Sequence, residues 1–418
     1  MFKSGNKLRH AIVLAVQTSD VGDEEFLRSL DELRQLARTL GVEVRGTLTQ
    51  KRASYDSAAY LGKGKREELK KLAHESGCDL LLVEHELSPA QAHHLEEETG
   101  CEVLDRTQVI LEIFRHHAHS RLARAQVEIV RLQYMAPRLR ESDQDHDRQR
   151  GRGAGESALE LDRRKIRDRV SELTAEIAAL SEEKRVQRDR RKAAGGIARV
   201  ALVGYTNAGK SSWMRALTGS EVLVANKLFA TLDTTVRALL PESIPRILVS
   251  DTVGFIRNLP HGLVASFKST LDEALEASLL LHVVDASDPD FVRQLEVTEA
   301  VLDEIGAKEV PRLILFNKID RVFDEAQMKR TLLDRWPSAQ VLSAHRPEDI
   351  RALREILVAH FSEGLVEDEL RVAWKNQRVR GEIFSTCQVI DERADADAAF
   401  FRVRAAPEVL SRIKEQLL

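Results

Sequence analysis

Along the first 110 or so residues, two patterns of apolar and polar positions follow one another in turn. Continuous apolar runs are typical of buried strands and occur at 10–17, 42–48, 80–83 and 101–104. Apolar residues three and four apart are typical of helices and occur at 24–40, 65–76 and 89–98. Ser88 followed by Pro89 is a helix start signal. Strands that alternate with helices predict a parallel sheet of the α/β class.

The strand pattern disappears between about residues 107 and 193. Two charged stretches with helical spacing, Thr107 to about Tyr134 and Ser157 to about Lys192, predict two long helices. The polar, glycine-rich stretch 141–155 between them predicts an exposed loop. These features together predict a charged helical hairpin.

Strand and helix patterns alternate again from about residue 197 to 363, which predicts a second α/β region. The remaining residues predict a small α+β unit, with strands at 384–391 and 398–403 and a helix at 407–417. A chain of 418 residues is long enough for about three domains of average size.

The composition excludes some classes of protein. Three cysteines, an odd number that lie far apart without a C-x-x-C pair, argue against a disulfide framework and against a structural zinc site. No apolar stretch reaches the roughly 18 residues that a membrane span requires. We therefore expect a cytoplasmic protein without a membrane span, with peripheral membrane association left open.

The charge is distributed unevenly. The 63 Lys and Arg against 67 Asp and Glu give a net charge of −4, which disfavours a uniformly basic coat. Between Arg115 and Lys192, however, 20 basic residues stand against 14 acidic ones, a net charge of +6. Two solvated helices would explain this segment, and so would a local surface for RNA phosphates.

An apolar strand at 198–203 runs directly into the pattern G-x-x-x-x-G-K-S, which a helical stretch follows. Glycines at these positions allow backbone N–H groups to face phosphate oxygens, and the helix N-terminus adds partial positive charge. The lysine is predicted to reach the β- and γ-phosphates, and the serine hydroxyl to ligate Mg²⁺. The predicted phosphate-binding residues are Gly204, Tyr205, Thr206, Asn207, Ala208, Gly209, Lys210 and Ser211.

A second apolar strand, 247–250, leads into the pattern D-x-x-G. The aspartate is predicted to hold Mg²⁺ through water, and the glycine N–H to face the γ-phosphate. This pattern is weak alone, and its place after a P-loop and a buried strand gives it weight. The predicted residues are Asp251, Thr252, Val253 and Gly254.

A third strand, 313–316, ends in N-K-x-D. This pattern predicts which base the bound nucleotide carries. A carboxylate accepts hydrogen bonds from guanine N1–H and from its exocyclic amine, whereas adenine would leave the buried Asp320 unpaired. A fourth strand leads to S-A-H, which is predicted to contact guanine O6. The predicted base-binding residues are Asn317, Lys318, Ile319, Asp320, Ser343, Ala344 and His345.

The segment between the first two motifs contains the candidate switch. A switch threonine completes the Mg²⁺ shell only when the γ-phosphate is present, and Thr231, Thr234 and Thr235 are all candidates. Phe255 follows D-x-x-G and cannot orient an attacking water, so intrinsic hydrolysis is expected to be slow. Asn207 is a candidate ligand for K⁺ beside the phosphates, or else only a cap of the loop.

The sequence resembles the HflX family of ribosome-associated GTPases over nearly its whole length. The resemblance rests on GYTNAGKS, KLFATLD, DTVGFIRNLP, LLLHVVDASDP and NKID, and on YLGKGKREEL, LQYMAPRL and GRGAGES outside the nucleotide motifs. It implies that the switch threonine is Thr231, which would ligate Mg²⁺. It also implies that the switch segment, Phe229, Ala230, Thr231, Leu232 and Asp233, belongs to the GTP site.

The resemblance further implies GTP and GDP as ligands, the large ribosomal subunit and its rRNA as partners, and the splitting of stalled or stressed ribosomes. The N-terminal domain and the hairpin would contact the RNA. Two alternatives stay open: a GTP-gated RNA-binding factor with another target, and a binding switch with negligible hydrolysis. Nothing in the sequence demands a dimer, so we expect a monomer.

We therefore predict an α/β protein with Lys210, Asn207 and Gly254 as catalytic residues. Its predicted domains are an N-terminal α/β domain at 1–110, a helical hairpin at 111–195, a P-loop GTPase domain with a mostly parallel sheet at 196–364, and a small α+β C-terminal domain at 365–418.

Overall fold

The computed structural model describes residues 9–139, 158–193, 197–220, 228–229, 234–257 and 273–417, with side chains of the helix at 158–193 described from 160 to 183. The chain divides into two compact units. The first unit consists of residues 1–179, 226–230 and 259–266. The second unit consists of residues 180–225, 231–258 and 267–418.

The first unit contains a four-stranded parallel sheet in the order β2-β1-β3-β4. Its strands are β1 Arg9–Gln17, β2 Val42–Lys51, β3 Leu80–Val83 and β4 Glu102–Asp105. The helices between them are α1 Asp23–Thr39, α2 Lys63–Ser76 and α3 Pro89–Thr99. Ser88 caps α3 in a reciprocal capping box with Gln91. The predicted α/β class is confirmed here.

The predicted helix from Thr107 to Tyr134 is wrong as a single element. The structure has α4 Arg106–His117 and α5 Arg121–Met135 in its place. Ala118 adopts an extended backbone, and the Ser120 hydroxyl accepts a hydrogen bond from the Ala123 N–H at 3.1 Å. A side-chain cap therefore starts a new helix where the apolar pattern runs on.

The helix α6 Ala158–Ala193 agrees with the predicted second helix of the hairpin. Its Leu173 is buried against Ala125 and Ile129 of α5, within the first unit. The predicted loop 141–155 lies outside the described residues.

The second unit contains a six-stranded sheet in the order β10-β9-β8-β5-β7-β6, in which β6 alone runs antiparallel to its neighbour. Its strands are β5 Ile197–Val203, β6 Thr235–Ala238, β7 Arg246–Asp251, β8 Leu279–Asp285, β9 Arg312–Asn317 and β10 Gln340–Val341. Its helices are α7 Lys210–Thr218, α8 Phe291–Ile305, α9 Glu325–Arg335 and α10 Pro347–Ser362. The carboxyl ends of β5, β7, β8 and β9 share one edge, so the loops that follow them meet there.

The last part of the chain is a three-stranded antiparallel sheet in the order β11-β13-β12, with two helices. Its elements are β11 Val366–Ala373, α11 Gln377–Thr386, β12 Gln388–Ala394, β13 Ala398–Ala405 and α12 Pro407–Leu417. The predicted strand at 384–391 begins too early, because α11 continues to Thr386. The sequence pattern also missed β11, in which an acidic run hides the two core positions Leu370 and Val372.

No helix among the described residues has the length and apolar character needed to cross a bilayer. The same residues contain no group of three or more His, Cys, Asp or Glu side chains arranged to hold a metal ion.

Candidate functional site

The loop after β5 wraps around the ammonium group of Lys210. Lys210 is buried, and its Nζ donates to the carbonyl oxygens of Gly204 at 3.0 Å and Tyr205 at 2.9 Å. Gly204 has φ +144°, and a Cβ there would lie 2.2 Å from the carbonyl oxygen of Val283. The loop therefore fits against β8 only with glycine at this position.

Burial lowers the pKa of Lys210 to about 8, although the nearby Asp251 carboxylate acts in the opposite direction. An anionic phosphate at Nζ would favour the charged form of the lysine. The site thus holds a cation whose charge is only partly compensated by protein groups, at the N-terminus of α7. Both features favour a polyphosphate ligand.

Two oxygen ligands meet beside this lysine. Ser211 Oγ donates to Asp251 Oδ2 at 2.7 Å, and Asp251 is fully buried at the end of β7. A hydroxyl and a carboxylate are hard oxygen donors of the type that Mg²⁺ takes, and GTPases use Mg²⁺ with their nucleotide. The donor set fits Mg²⁺, which would neutralise phosphate charge when bound.

The turn after Asp251 packs directly on the P-loop. Thr252 and Val253 are buried, and a Cβ on Gly254 would lie 2.8 Å from Thr206 Cγ2 and 2.9 Å from Lys210 Nζ. Only glycine fits this position without displacing the lysine.

Phe255 continues the same contact. Its N–H donates to Gly204 O at 3.1 Å, and its carbonyl accepts from the Thr206 N–H at 2.7 Å. The Phe255 ring is buried, so it stabilises the loop but offers no polar group to a water molecule.

The N-K-x-D turn also binds the P-loop. Asn317 Nδ2 donates to Ala208 O at 2.8 Å, and Lys318 Nζ donates to Asn207 O at 2.7 Å. Asn317 Oδ1 accepts from the Ala344 N–H at 3.2 Å, which joins the S-A-H loop to the same network. The three loops are thus fixed to one another around the P-loop carbonyls.

The outer end of this region is open. The prediction of a buried Asp320 is wrong for this structure, because Asp320 is exposed, whereas the neighbouring Ile319 is buried. Ser343 and Ala344 are buried, and His345 is exposed, with its N–H on Ser343 Oγ at 3.2 Å.

Asn207 has a left-handed backbone, with φ +61°. Its exposed side chain forms no hydrogen bond with the residues that the structure describes, and the N-cap of α7 is Gly209. The side-chain oxygen is therefore accessible at the rim of the P-loop.

Sequence reasoning missed two carboxylates that support the site. Asp285, the last residue of β8, accepts from Lys318 Nζ at 2.7 Å. Asp349 Oδ2 accepts from the Ser343 N–H at 2.8 Å. Asp285 ends an apolar strand, as Asp251 does, and that position was a usable signal. Nothing in the sequence around Asp349 distinguishes it from a residue in the first turn of a helix.

Most of the predicted switch, namely Ala230, Thr231, Leu232 and Asp233, lies outside the described residues. Phe229 belongs to the first unit, where its ring packs edge-on against Phe114 with the centroids 4.6 Å apart. Leu228 N–H donates to Thr39 Oγ1 at 3.1 Å in the same unit. A role for Phe229 in binding GTP stays a prediction.

The first unit also contains a cavity of about 370 Å³ between α4, α5 and α6. Four arginines line it, together with Glu128 and Glu176: Arg115, Arg121, Arg124 and Arg169. Arg121 is paired with Glu176 at 2.9 Å. Arg124 is exposed and forms no ion pair with any side chain in the described part of the chain.

A P-loop after a parallel strand, joined to D-x-x-G and N-K-x-D turns at the same sheet edge, defines a P-loop GTPase. Three family models match the chain. They are described as GTP-binding GTPase N-terminal, at residues 27–115, GTP-binding GTPase Middle Region, at 117–191, and 50S ribosome-binding GTPase, at 199–318.

Curated relatives match over nearly the full length. GTPase HflX of Gluconacetobacter diazotrophicus is 50% identical, with 97% of each chain covered. GTPase HflX of Escherichia coli is 36% identical, with 90% of this chain and 89% of that one covered. The chain belongs to the GTPase HflX family, and it hydrolyses GTP.

A solved structure, described as SsGBP and GDP complex, has a TM-score of 0.51 and 24% identity. It covers 85% of this chain and 100% of the other. This likeness supports the fold.

Proposed function

We propose that this GTPase binds the large ribosomal subunit, acts on stalled or stressed ribosomes by splitting them into subunits, and leaves after hydrolysis. The observation that carries the proposal is the match of residues 199–318 to a family described as 50S ribosome-binding GTPase. The loop network around Lys210 supports the proposal, because such a cycle requires a nucleotide site.

In the proposed cycle, Ser211 and Thr231 would hold Mg²⁺ beside the nucleotide, and Asp251 would hold it through water. The ion would neutralise phosphate charge there. The Gly254 N–H faces the γ-phosphate, so the turn that carries it changes contacts when that phosphate leaves. Loss of those contacts releases the ribosome.

Hydrolysis is proposed to be slow without the ribosome. Phe255 offers no group that orients water, so another element must complete the site. The exposed oxygen of Asn207 is a proposed ligand for K⁺, which would supply positive charge near the transferring phosphate. Contact with the large subunit would then raise the rate.

The arginine-lined cavity of the first unit supports RNA contact. Arg124 has no carboxylate partner among the described residues, so a phosphate would not have to displace an ion pair there. Each phosphate contact contributes about one unit to the salt dependence of binding. Arg124 is the proposed site of one such contact.

Co-sedimentation of the full chain with large subunits tests the proposal. We expect binding with a non-hydrolysable GTP analogue, weaker binding with GDP, and faster phosphate release when subunits are added. Absence of co-sedimentation at low salt would refute ribosome binding. Preference for free structured RNA over subunits would favour the RNA-binding alternative instead.

A matched pair of variants sharpens the test. Arg124→Ala is expected to lower the slope of log affinity against log salt by about one unit. Arg28→Ala removes an arginine of α1 that is paired with Glu24 at 3.0 Å, and is expected to leave the slope unchanged. Equal slopes for both variants would remove Arg124 from the interface.

The four-domain division, a monomeric state and a cytoplasmic location remain part of this proposal. Limited proteolysis tests the boundaries near residues 110, 195 and 364. Sedimentation equilibrium of the full chain tests the monomer, and a concentration-dependent mass would contradict it.

A further inference from the structure

We propose that Asp285 is a positioning residue for GTP binding, which acts by holding the Lys318 ammonium group on the P-loop. Asp285 lies within LLLHVVDASDP but is not among the residues that the sequence predicts to bind the nucleotide. The inference rests on the GTPase activity of the chain and is independent of the ribosome.

The geometry places Lys318 between two acceptors. Its Nζ lies 2.7 Å from Asp285 Oδ2 and 2.7 Å from the carbonyl oxygen of Asn207. Both charged side chains are largely buried, with 13% of the Lys318 side chain and 14% of the Asp285 side chain exposed. Among the described residues, Asp285 is the carboxylate within ion-pair distance of this lysine.

Asp285 is itself held firmly. Its Oδ1 accepts from the Ser287 N–H at 3.0 Å and from Ser287 Oγ at 2.6 Å. Its backbone pairs with Asn317 in the β8–β9 ladder, and the Ala286 N–H donates to Asn317 O at 2.9 Å. These protein contacts fix the carboxylate relative to the N-K-x-D turn.

The consequence lies at the P-loop. Asn207 has φ +61°, in the left-handed region that asparagine adopts more readily than most residues with a side chain, and a hydrogen bond to its carbonyl oxygen would support that conformation. Lys318 supplies that support through the Asn207 carbonyl, and Asp285 keeps the lysine there. Without the carboxylate, the largely buried Lys318 ammonium group would be unpaired, and the side chain would turn toward solvent. The P-loop would then lose the hydrogen bond from Lys318 and keep the one from Asn317.

Loss of the Asp285 carboxylate should weaken the binding of the nucleotide phosphates and leave the preference for guanine unchanged. Asp320, not Asp285, is predicted to read the guanine amine. Asp285→Asn should therefore weaken GTP, GDP and the inosine nucleotides by the same factor. That factor is expected to be about tenfold, as for the loss of one charge-assisted hydrogen bond.

A double-mutant cycle on the full chain tests the proposal by equilibrium binding of fluorescent GDP and GTP. The variants are Asp285→Asn, Lys318→Met and the pair. If Asp285 acts through Lys318, the double variant should bind no more weakly than Lys318→Met alone. Additive losses, or wild-type affinity in Asp285→Asn, would overturn the proposal.

Two further variants separate positioning from general damage. Ser287→Ala removes a hydroxyl from Oδ1 and leaves the Oδ2 contact with Lys318, so it should stay within about twofold of wild type. Asp285→Glu keeps the charge and should recover part of the affinity. If Asp285→Asn does not fold, the same cycle is run with Asp285→Glu, and additivity there overturns the proposal equally.

Discussion

Replacing Gly209 with alanine should break the contact between the P-loop and the N-K-x-D turn. Gly209 has φ +100°, and a Cβ there would lie 2.1 Å from Asn317 Nδ2. The Asn317 side-chain amide donates to Ala208 O at 2.8 Å, and the added Cβ would force it out of this position. The substitution therefore strains the backbone and displaces Asn317 together.

The magnitude follows from these two costs. A positive φ costs a non-glycine residue roughly 1–2 kcal/mol. Loss of a buried hydrogen bond costs about 1–3 kcal/mol. We expect the free loop to relax and avoid these costs, so nucleotide binding must restore the original loop and meet their sum, about 2–5 kcal/mol. That sum corresponds to a loss of nucleotide affinity between roughly 30-fold and several thousand-fold.

Gly306→Ala is the matched control, since Gly306 has φ +90° and a Cβ there would meet no atom within 4 Å. Gly306 follows the last residue of α8 in the same unit. Gly306→Ala should therefore lower the free energy of unfolding and leave nucleotide affinity unchanged. The assay is titration of both variants with fluorescent GDP, beside thermal melting of the nucleotide-free proteins. The reasoning fails if Gly209→Ala binds GDP like wild type, or if Gly306→Ala loses as much affinity.

Three further predictions concern the two units. Burial lowers the pKa of His85 to about 4, and Tyr60 OH lies 2.8 Å from its Nδ1. The folded form binds the proton more weakly than the unfolded form, so the free energy of unfolding should fall by up to about 3 kcal/mol as pH falls from 6.5 to 4. Urea unfolding of His85→Gln should lack this decrease. Arg106→Met removes the arginine that pairs with the buried Glu32 and Glu84, and should lower the free energy of unfolding by about 3–5 kcal/mol in the same assay. Gly254→Ala should displace Lys210 and abolish phosphate release, while the melting temperature stays near wild type.

Each of these has a contradicting outcome. Equal pH profiles for His85→Gln and wild type would mean that the imidazole titrates normally when folded. A stability loss below about 1 kcal/mol in Arg106→Met would mean that water reaches both glutamates. Full hydrolysis by Gly254→Ala would mean that the added methyl group leaves Lys210 in place.

The nucleotide motifs were readable from the sequence because their chemistry is largely local. Lys210 reaches carbonyls of its own loop, five and six residues away, and Gly204 needs a φ that few other residues adopt. The motif therefore specifies both the turn and its contacts. Contacts such as Lys318 with Asp285, 33 residues apart, depend on the order of strands in the sheet. No spacing rule supplies that order.

In the helical region α4 to α6, the sequence pattern was a less complete guide to the structure. Hydrophobic spacing continues from α4 into α5, so periodicity alone predicts one helix, and only the capping geometry at Ser120 divides it. The net charge of the segment is similarly incomplete as a guide. Arg115, Arg121 and Arg169 around the cavity each pair with a glutamate. Arg124 has no ion pair within the described residues, so the distribution of pairs, and not the net charge, identifies it as the proposed phosphate contact.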